Sequence, residues 1–396
     1  MKNKPKKQYW ADNNLILNPV ENIPLAFLRN NYDHLSGLYI TDKIRTRDQK
    51  KNAKILFAGR SEMVNDVNQV YKQWCQILNA DDITFRPLSG LNAHMLLFLS
   101  LGYIGDRIML LPEKAGGHFS TRSILLRLGY DVVDIPVDVN DYSIDLEKAI
   151  AIQKNHPCKF LFVDRSEGIN YEDFTELCTN FNGYKIFDAS QYLTNIIFKQ
   201  FKSPFDMGFD LMLSTVHKNF PGPQKALICT RDKNDQYWDI VLKAMRDCVS
   251  NIHGDKIIML GDIVSNPKLE SYSSEILENS VYLENCLKSY GVPIVEKKHT
   301  TPPTHHIWIN YHNQERAYQA YTSLEKNHIL VNYRLLPYDL GYGLRMGTTC
   351  ATVQGINKTN IPQLAEYIAT IIATNKEYSA VKEFIDNLIA NTKYEY

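Results

Sequence analysis

The residue best suited to covalent chemistry in this chain is Lys218. It lies between a short apolar run, Leu211 to Leu213, and a Pro-Gly-Pro turn at Pro221 to Pro223. His217 precedes it, Thr215 closes the run before it, and a second apolar run, Ala226 to Cys229, leaves the turn. The first run reads as a buried strand and the turn as its exit. An amine at the mouth of a buried strand is desolvated, which lowers its pKa and suits it to form a Schiff base. An ordinary solvated loop lysine has the same local spelling, because most lysines are exposed.

A second group narrows the choice. About thirty residues upstream, Tyr184 to Phe187 is a β-rich run that ends in Asp188-Ala189-Ser190. Pyridoxal 5′-phosphate needs a lysine for its aldehyde and an acid for its pyridinium nitrogen. A lysine after one strand and an aspartate at the end of another meet both needs. Taken alone, Asp188 could equally be a helix cap or a turn residue.

The same stretch, Ser214-Thr-Val-His-Lys-Asn-Phe-Pro-Gly-Pro-Gln224, resembles the lysine signature of the serine hydroxymethyltransferase family. Other matches follow in family order. Asn18-Pro-Val-Glu-Asn22 resembles the N-terminal Ser-Glu-Asn motif, and Arg86-Pro-Leu-Ser-Gly-Leu-Asn-Ala93 the phosphate turn. Gly116-Gly-His118 resembles the Gly-Gly-His segment, Phe187-Asp-Ala-Ser190 the aspartate strand, and Gly343-Leu-Arg-Met-Gly-Thr348 the substrate-arginine motif. The likeness runs from about Leu15 to Gly355. It implies a fold-type I, aspartate aminotransferase-like transferase with pyridoxal 5′-phosphate on Lys218.

That resemblance implies a role for each matching residue. Asp188 would hold the ring nitrogen and His118 would stack on the ring. Ser89 and Gly90, opening a helix, would meet the phosphate with free N–H groups and the helix dipole. Ser166, Thr215 and His217 would border the ring, and Gly254 would reach the phosphate of a neighbouring subunit. Arg345 would grip the substrate carboxylate through its planar guanidinium. Glu21 would face the substrate. A capping serine at Ser89, a capping histidine at His118, a turn serine at Ser166, a surface Arg345 and a solvated Glu21 are the plainer readings of the same residues.

Five positions depart from the family pattern. Val20 replaces a serine, Leu91 a second serine of the phosphate turn, and Thr121 a second histidine. The catalytic glutamate of the arm falls at Ser36 and a tyrosine falls at Ala58. Arg60 is new beside them and could bind a second acidic group of the substrate, or be a solvated charge. The lost acid argues against ordinary folate-dependent one-carbon transfer. The leading expectation is aldol or retro-aldol chemistry on an amino acid through a carbanion at Cα, of the hydroxymethyltransferase or transaldolase type. Transamination, racemisation and decarboxylation use related chemistry and stay open, as does a relative that has lost catalysis.

The elements that must position these residues form an alternating pattern. Strand-like runs at Ile83–Phe85, Arg107–Leu111, Asp131–Ile135 and Lys159–Val163 interleave with helical spacing at Asn92–Leu101, Phe119–Leu128, Asp145–Gln153 and Glu172–Phe181. This pattern predicts an α/β fold, a mostly parallel sheet covered on both faces, with ligands beyond the carboxyl ends of the strands. Glu62 to Leu78 has helical spacing, with Val67, Val70, Trp74 and Leu78 on one side. Residues 1–50 read as an irregular N-terminal arm, 51–265 as the large cofactor-binding domain, and 266–396 as a smaller α+β domain beginning near Asn266-Pro267.

Composition excludes some classes. The 396 residues carry 44 basic and 44 acidic side chains, which offers no electrostatic case for nucleic acid. The apolar run Met95 to Leu101 is too short to span a bilayer. Seven cysteines without a Cys-x-x-Cys suggest reduced thiols in the cytoplasm, and no metal site is expected. The family resemblance further implies a homodimer with active sites at the subunit interface.

Overall fold

The structure, a computed structural model, describes residues 13–23, 51, 61–297 and 301–394. It divides into two compact units. The described parts of 27–167 and 172–269 form the larger one, and those of 1–26, 168–171 and 270–396 the smaller. The sequence suggests a boundary at 265/266; the structure changes unit at 269/270, and it assigns the segment around Leu15 to the smaller unit. That segment was expected to be irregular. Instead, Leu15–Ile16 forms a two-residue strand, β1. Two residues are too few to display a period, so the pattern gives no warning of it.

In the larger unit, helix α1 (Ser61–Leu78) buries Val67, Val70, Trp74 and Leu78, the side its spacing marks as apolar. Its strands are β2 (Asp82–Thr84), β3 (Arg107–Leu110), β4 (Asp131–Asp134), the small hairpin β5 (Val137–Asp138) and β6 (Ser143–Ile144), β7 (Phe160–Val163), β8 (Tyr184–Asp188), β9 (Leu211–Thr215) and β10 (Ala226–Thr230). All but the hairpin form one sheet in the order β2-β10-β9-β8-β7-β3-β4. The run from β9 through β8, β7 and β3 to β4 is parallel. β10 is antiparallel to both of its neighbours. β7, β9 and β10 are buried along their whole length, which explains why they read as unbroken apolar runs and not as alternating ones.

Helices α2 (Gly90–Leu101) and α3 (Thr121–Arg127) follow β2 and β3. Leu96, Leu97 and Leu125 pack with Ile108, Phe160, Phe162, Ile186 and Leu213 of the sheet in a single core. The fold brings the ends of different strands together. Asp188 pairs in register with Leu213, so the ends of β8 and β9 lie side by side. Phe187 pairs with Val163, and Phe162 with Leu110, so the exits of β7 and β3 share the same edge.

In the smaller unit, β11 (His306–Asn310), β12 (Ile329–Leu330), β13 (Asn332–Leu336) and β14 (Gly341–Gly347) supply the strands. β14 lies between β11 and β13, antiparallel to each, and β1 runs parallel to β12. Leu283, Leu324, Leu364, Ile368 and Ile385 from four helices close over Leu344 and Met346.

Candidate active site

Asp188 ends β8 and is buried. Its Oδ2 lies 2.7 Å from His94 Nε2. Its Oδ1 accepts the Ser190 backbone N–H at 2.8 Å and the Ser190 hydroxyl. Burial alone would raise this carboxyl. The hydrogen bond to His94, the Ser190 hydroxyl and the charge of Lys218 outweigh burial and hold Asp188 below the usual carboxylate range.

Lys218 lies half-buried three residues beyond β9. Its charge acts on both Asp188 and His217, so the lysine and the aspartate occupy one electrostatic environment. The loop around it is anchored: Asn219 accepts the Thr194 N–H at 2.7 Å, and Phe220 is fully buried against Trp74 with ring centroids 5.1 Å apart. His217 Nδ1 lies 3.2 Å from the Lys225 carbonyl oxygen. Burial, then the neighbouring Lys218 charge, lowers His217 to about 4, so its imidazole is neutral at physiological pH.

Thr215 is buried between these groups, and its backbone N–H donates to Ser190 Oγ at 2.9 Å. Its own hydroxyl has no hydrogen-bond partner among the described residues. Gly90 faces it. A Cβ on Gly90 would lie 2.6 Å from Thr215 Cγ2, so only glycine keeps this approach open. Ser89 caps α2 by accepting the Asn92 N–H at 3.2 Å, the plainer of its two expected readings. His118 follows Gly116 and Gly117, and the φ of 88° at Gly116 is left-handed. Its ring stacks on Phe119 at 4.8 Å and meets the His94 ring edge-on at 5.8 Å. Ser166 stands half-buried beyond β7. Gly254 is the first residue of α4 (Gly254–Val264).

In the smaller unit, Arg345 is buried in β14. Its Nη2 and Nε donate to Asn332 Oδ1 at 2.8 and 3.3 Å. Glu21 lines a cleft of about 370 Å³ with Asn18, Glu325, Asn332 and Tyr333. Burial raises its carboxyl, against a hydrogen bond from Asn18. Val20 is half-buried and Leu91 exposed. Arg60, Ser36 and Ala58 lie outside the described residues.

Three residues of this neighbourhood are not evident from the sequence. His94 and Asp164 hold polar positions beneath Asp188, and Lys225 is a buried amine. Burial, then the charges of Lys256 and Arg86, lowers Lys225 to about 7. The available signal was a charged or polar residue inside an apolar run: His94 just before Met95–Leu101, Asp164 just after β7, and Lys225 just before β10.

The arrangement of a buried acid and a half-buried lysine at adjacent parallel strand ends agrees with the family comparison. Residues 54–368 match the family model for serine hydroxymethyltransferase. The chain belongs to the serine hydroxymethyltransferase family. It is 25% identical over 326 residues to the serine hydroxymethyltransferase of Pyrobaculum calidifontis, covering 80% of this chain and 76% of that one. It is 24% identical to the enzyme of Staphylothermus marinus, covering 93% and 85%. Among solved structures, L-threonine transaldolase from Pseudomonas fluorescens has the same fold, with a TM-score of 0.87 at 20% identity over 98% of this chain and 90% of that one.

As a family member, the chain is a pyridoxal 5′-phosphate-dependent transferase or lyase with chemistry of the aldol and retro-aldol type on an amino acid. The residues present fit that cofactor. The unpartnered Thr215 hydroxyl and the space that a Cβ on Gly90 would fill both adjoin Ser190, itself bonded to Asp188. Among the described residues no helix is long and apolar enough to cross a membrane, and no cluster of three or more histidine, cysteine or acidic side chains could hold a metal ion.

Proposed function

We propose that this enzyme makes and breaks the Cα–Cβ bond of a β-hydroxy amino acid, releasing or accepting a free aldehyde without folate as the one-carbon carrier. The observation that carries the site assignment is Asp188, ionised and buried at the end of β8, beside the β9 exit that leads to Lys218. When bound, pyridoxal phosphate supplies an aldehyde for the lysine and a ring that accepts electron density from Cα.

Lys218 would hold the cofactor through its ε-amine and would carry a proton at Nζ. Asp188 would keep the ring nitrogen protonated. His217 stays neutral, with Nδ1–H directed to the Lys225 carbonyl, leaving Nε2 to accept the proton of the substrate β-hydroxyl. Thr215 and Gly90 would border the cofactor, His118 would cover it, Ser89 and Ser166 would complete its contacts, and Gly254 would reach the phosphate held by a neighbouring subunit. Arg345, oriented by Asn332, would pair with the substrate carboxylate, and we assign Glu21 and Arg60 to recognition of its side chain. Substitution of the arm glutamate by Ser36 supports a reaction without folate.

We also infer a cytoplasmic homodimer. Its seven free cysteines suit a reducing compartment, and sedimentation reads the assembly state.

The deciding assay measures aldehyde release from a panel of β-hydroxy amino acids, with and without tetrahydrofolate. Aldehyde released without folate supports the proposal. Release only with folate, or conversion of the cofactor to its pyridoxamine form, overturns it.

A further inference from the structure

If Asp188 faces the cofactor nitrogen, as proposed above, the groups behind it determine how firmly it keeps its charge. His94 meets Asp188 through Nε2, and its other nitrogen, Nδ1, lies 3.4 Å from Thr121 Oγ1. The Thr121 hydroxyl is also hydrogen-bonded to Asp164 Oδ2. All four side chains are buried: Asp164 is 1% exposed, Thr121 0%, His94 2% and Asp188 8%. Phe162 and Phe98 fix the His94 ring, with centroids 5.0 and 6.1 Å away. Two carboxyl groups therefore sit at opposite ends of a sealed chain of two polar links.

Both acids cannot ionise cheaply in one dry cluster. The better-supported one keeps the charge. Asp188 has His94, the Ser190 N–H, the Ser190 hydroxyl and the charge of Lys218. Asp164 has the Thr121 hydroxyl and backbone N–H groups, including that of His118. Burial pushes Asp164 well above the usual carboxylate range, Thr121 opposes this, and the Asp188 charge adds to the rise. Lys218 and His118 are further titratable groups that act on this chain, through Asp188 and the His94 ring respectively.

We propose that Asp164, Thr121 and His94 form a proton chain that fixes the state of Asp188, with Asp164 as its neutral acid and His94 as the positioning residue. A neutral Asp164 donates its O–H to Thr121 Oγ1. The single threonine proton then turns to His94 Nδ1. His94 is thereby fixed as the tautomer with hydrogen on Nε2, the atom facing Asp188. Loss of the Asp164 proton reverses Thr121 and removes the donor from Nδ1.

The test uses the full chain with added cofactor and two readouts. Long-range ¹H–¹⁵N NMR, with His94→Asn to assign the signal, reports the His94 tautomer. The visible band of the bound cofactor reports the pH midpoint of its ring system. Asp164→Asn keeps a neutral donor and Thr121→Ser keeps the hydroxyl, so both are expected to match the parent in each readout. Thr121→Val is expected to release the fixed tautomer and move the midpoint by about one pH unit or more. An Asp164→Asn protein displaced as far as Thr121→Val, or a Thr121→Val protein unchanged in both, overturns the proposal. A parent His94 doubly protonated at neutral pH also overturns it. If Thr121→Val does not fold, Thr121→Ala, which also removes the hydroxyl, takes its place under the same criteria. Absence of a visible band from the parent sinks the cofactor assignment, whereas the NMR signal tests the chain separately.

Discussion

Gly90 and Thr215 approach so closely that a methyl group on the glycine would lie 2.6 Å from the threonine Cγ2. Gly90 opens α2 and Thr215 closes β9, so this contact fixes the start of one helix against the strand that leads to Lys218. Gly90→Ala is expected to cost about 1–3 kcal/mol of stability, as overpacking does. It should also weaken cofactor binding about tenfold or more, because the displaced side chain carries the unpartnered hydroxyl. Thr215→Ser removes Cγ2 and keeps the hydroxyl. The Gly90→Ala/Thr215→Ser double variant should therefore recover much of both losses, read by thermal unfolding and cofactor titration. Additive losses would show that the contact does not carry the effect.

Trp74 tests how the remote core supports the lysine loop. It is fully buried, edge-on to Phe85 at 5.3 Å and tilted against Phe220 at 5.1 Å. Phe220 is two residues from Lys218. Trp74→Ala should cost ~3–5 kcal/mol, the range for removing a large buried aromatic. At a temperature where the variant stays folded, its cofactor band should also weaken, because Phe220 loses a wall. Trp74→Phe should lose less in both measurements. A destabilised variant with normal cofactor affinity would separate the core from the loop.

These residues also show where sequence reading succeeds. Val67, Val70, Trp74 and Leu78 recur at helical spacing and are all buried in α1. β7, β8 and β9 were legible because a buried parallel strand requires an unbroken apolar run bounded by turns. Asp188 and Lys218 were legible because each ends or follows such a run. β1 was not, because its pairing partner lies more than three hundred residues away in β12. The Asp188–His94 contact was equally hidden: it joins a helix to a strand 94 positions apart, and a polar residue beside an apolar run does not reveal its partner. Thr121, a departure from the family motif, proves to be a buried link between His94 and Asp164.

Arg345 donates through Nη2 and Nε to a neutral side chain, Asn332. That amide holds the planar guanidinium in place, which suits bidentate pairing with a carboxylate. Arg345→Lys should raise KM for the amino acid about tenfold or more, because a point charge cannot reproduce bidentate pairing. Cofactor affinity should stay near the parent value. Asn332→Ala should give a smaller rise in KM of the same kind. Equal losses in cofactor and substrate binding would instead assign Arg345 to the stability of β14.

His305 predicts how the smaller unit responds to acid. Both ring nitrogens are buried without a hydrogen-bond partner among the described residues. Burial, then the charges of Lys297 and Arg345, lowers its pKa to about 3 from an ordinary value of 6.5. Between these values the unfolded chain binds a proton that native His305 refuses. Stability is therefore complete above pH 6.5 and declines as pH falls towards 3. His217 contributes in the same direction from 6.5 down to about 4. One such group adds a slope of about 1.4 kcal/mol per pH unit. His305→Asn removes one titration and should flatten the dependence by about that amount. Urea unfolding at pH 5, 6 and 7, at fixed saturating cofactor, measures it. Parallel profiles for parent and variant would mean that native His305 takes up its proton as readily as the unfolded chain.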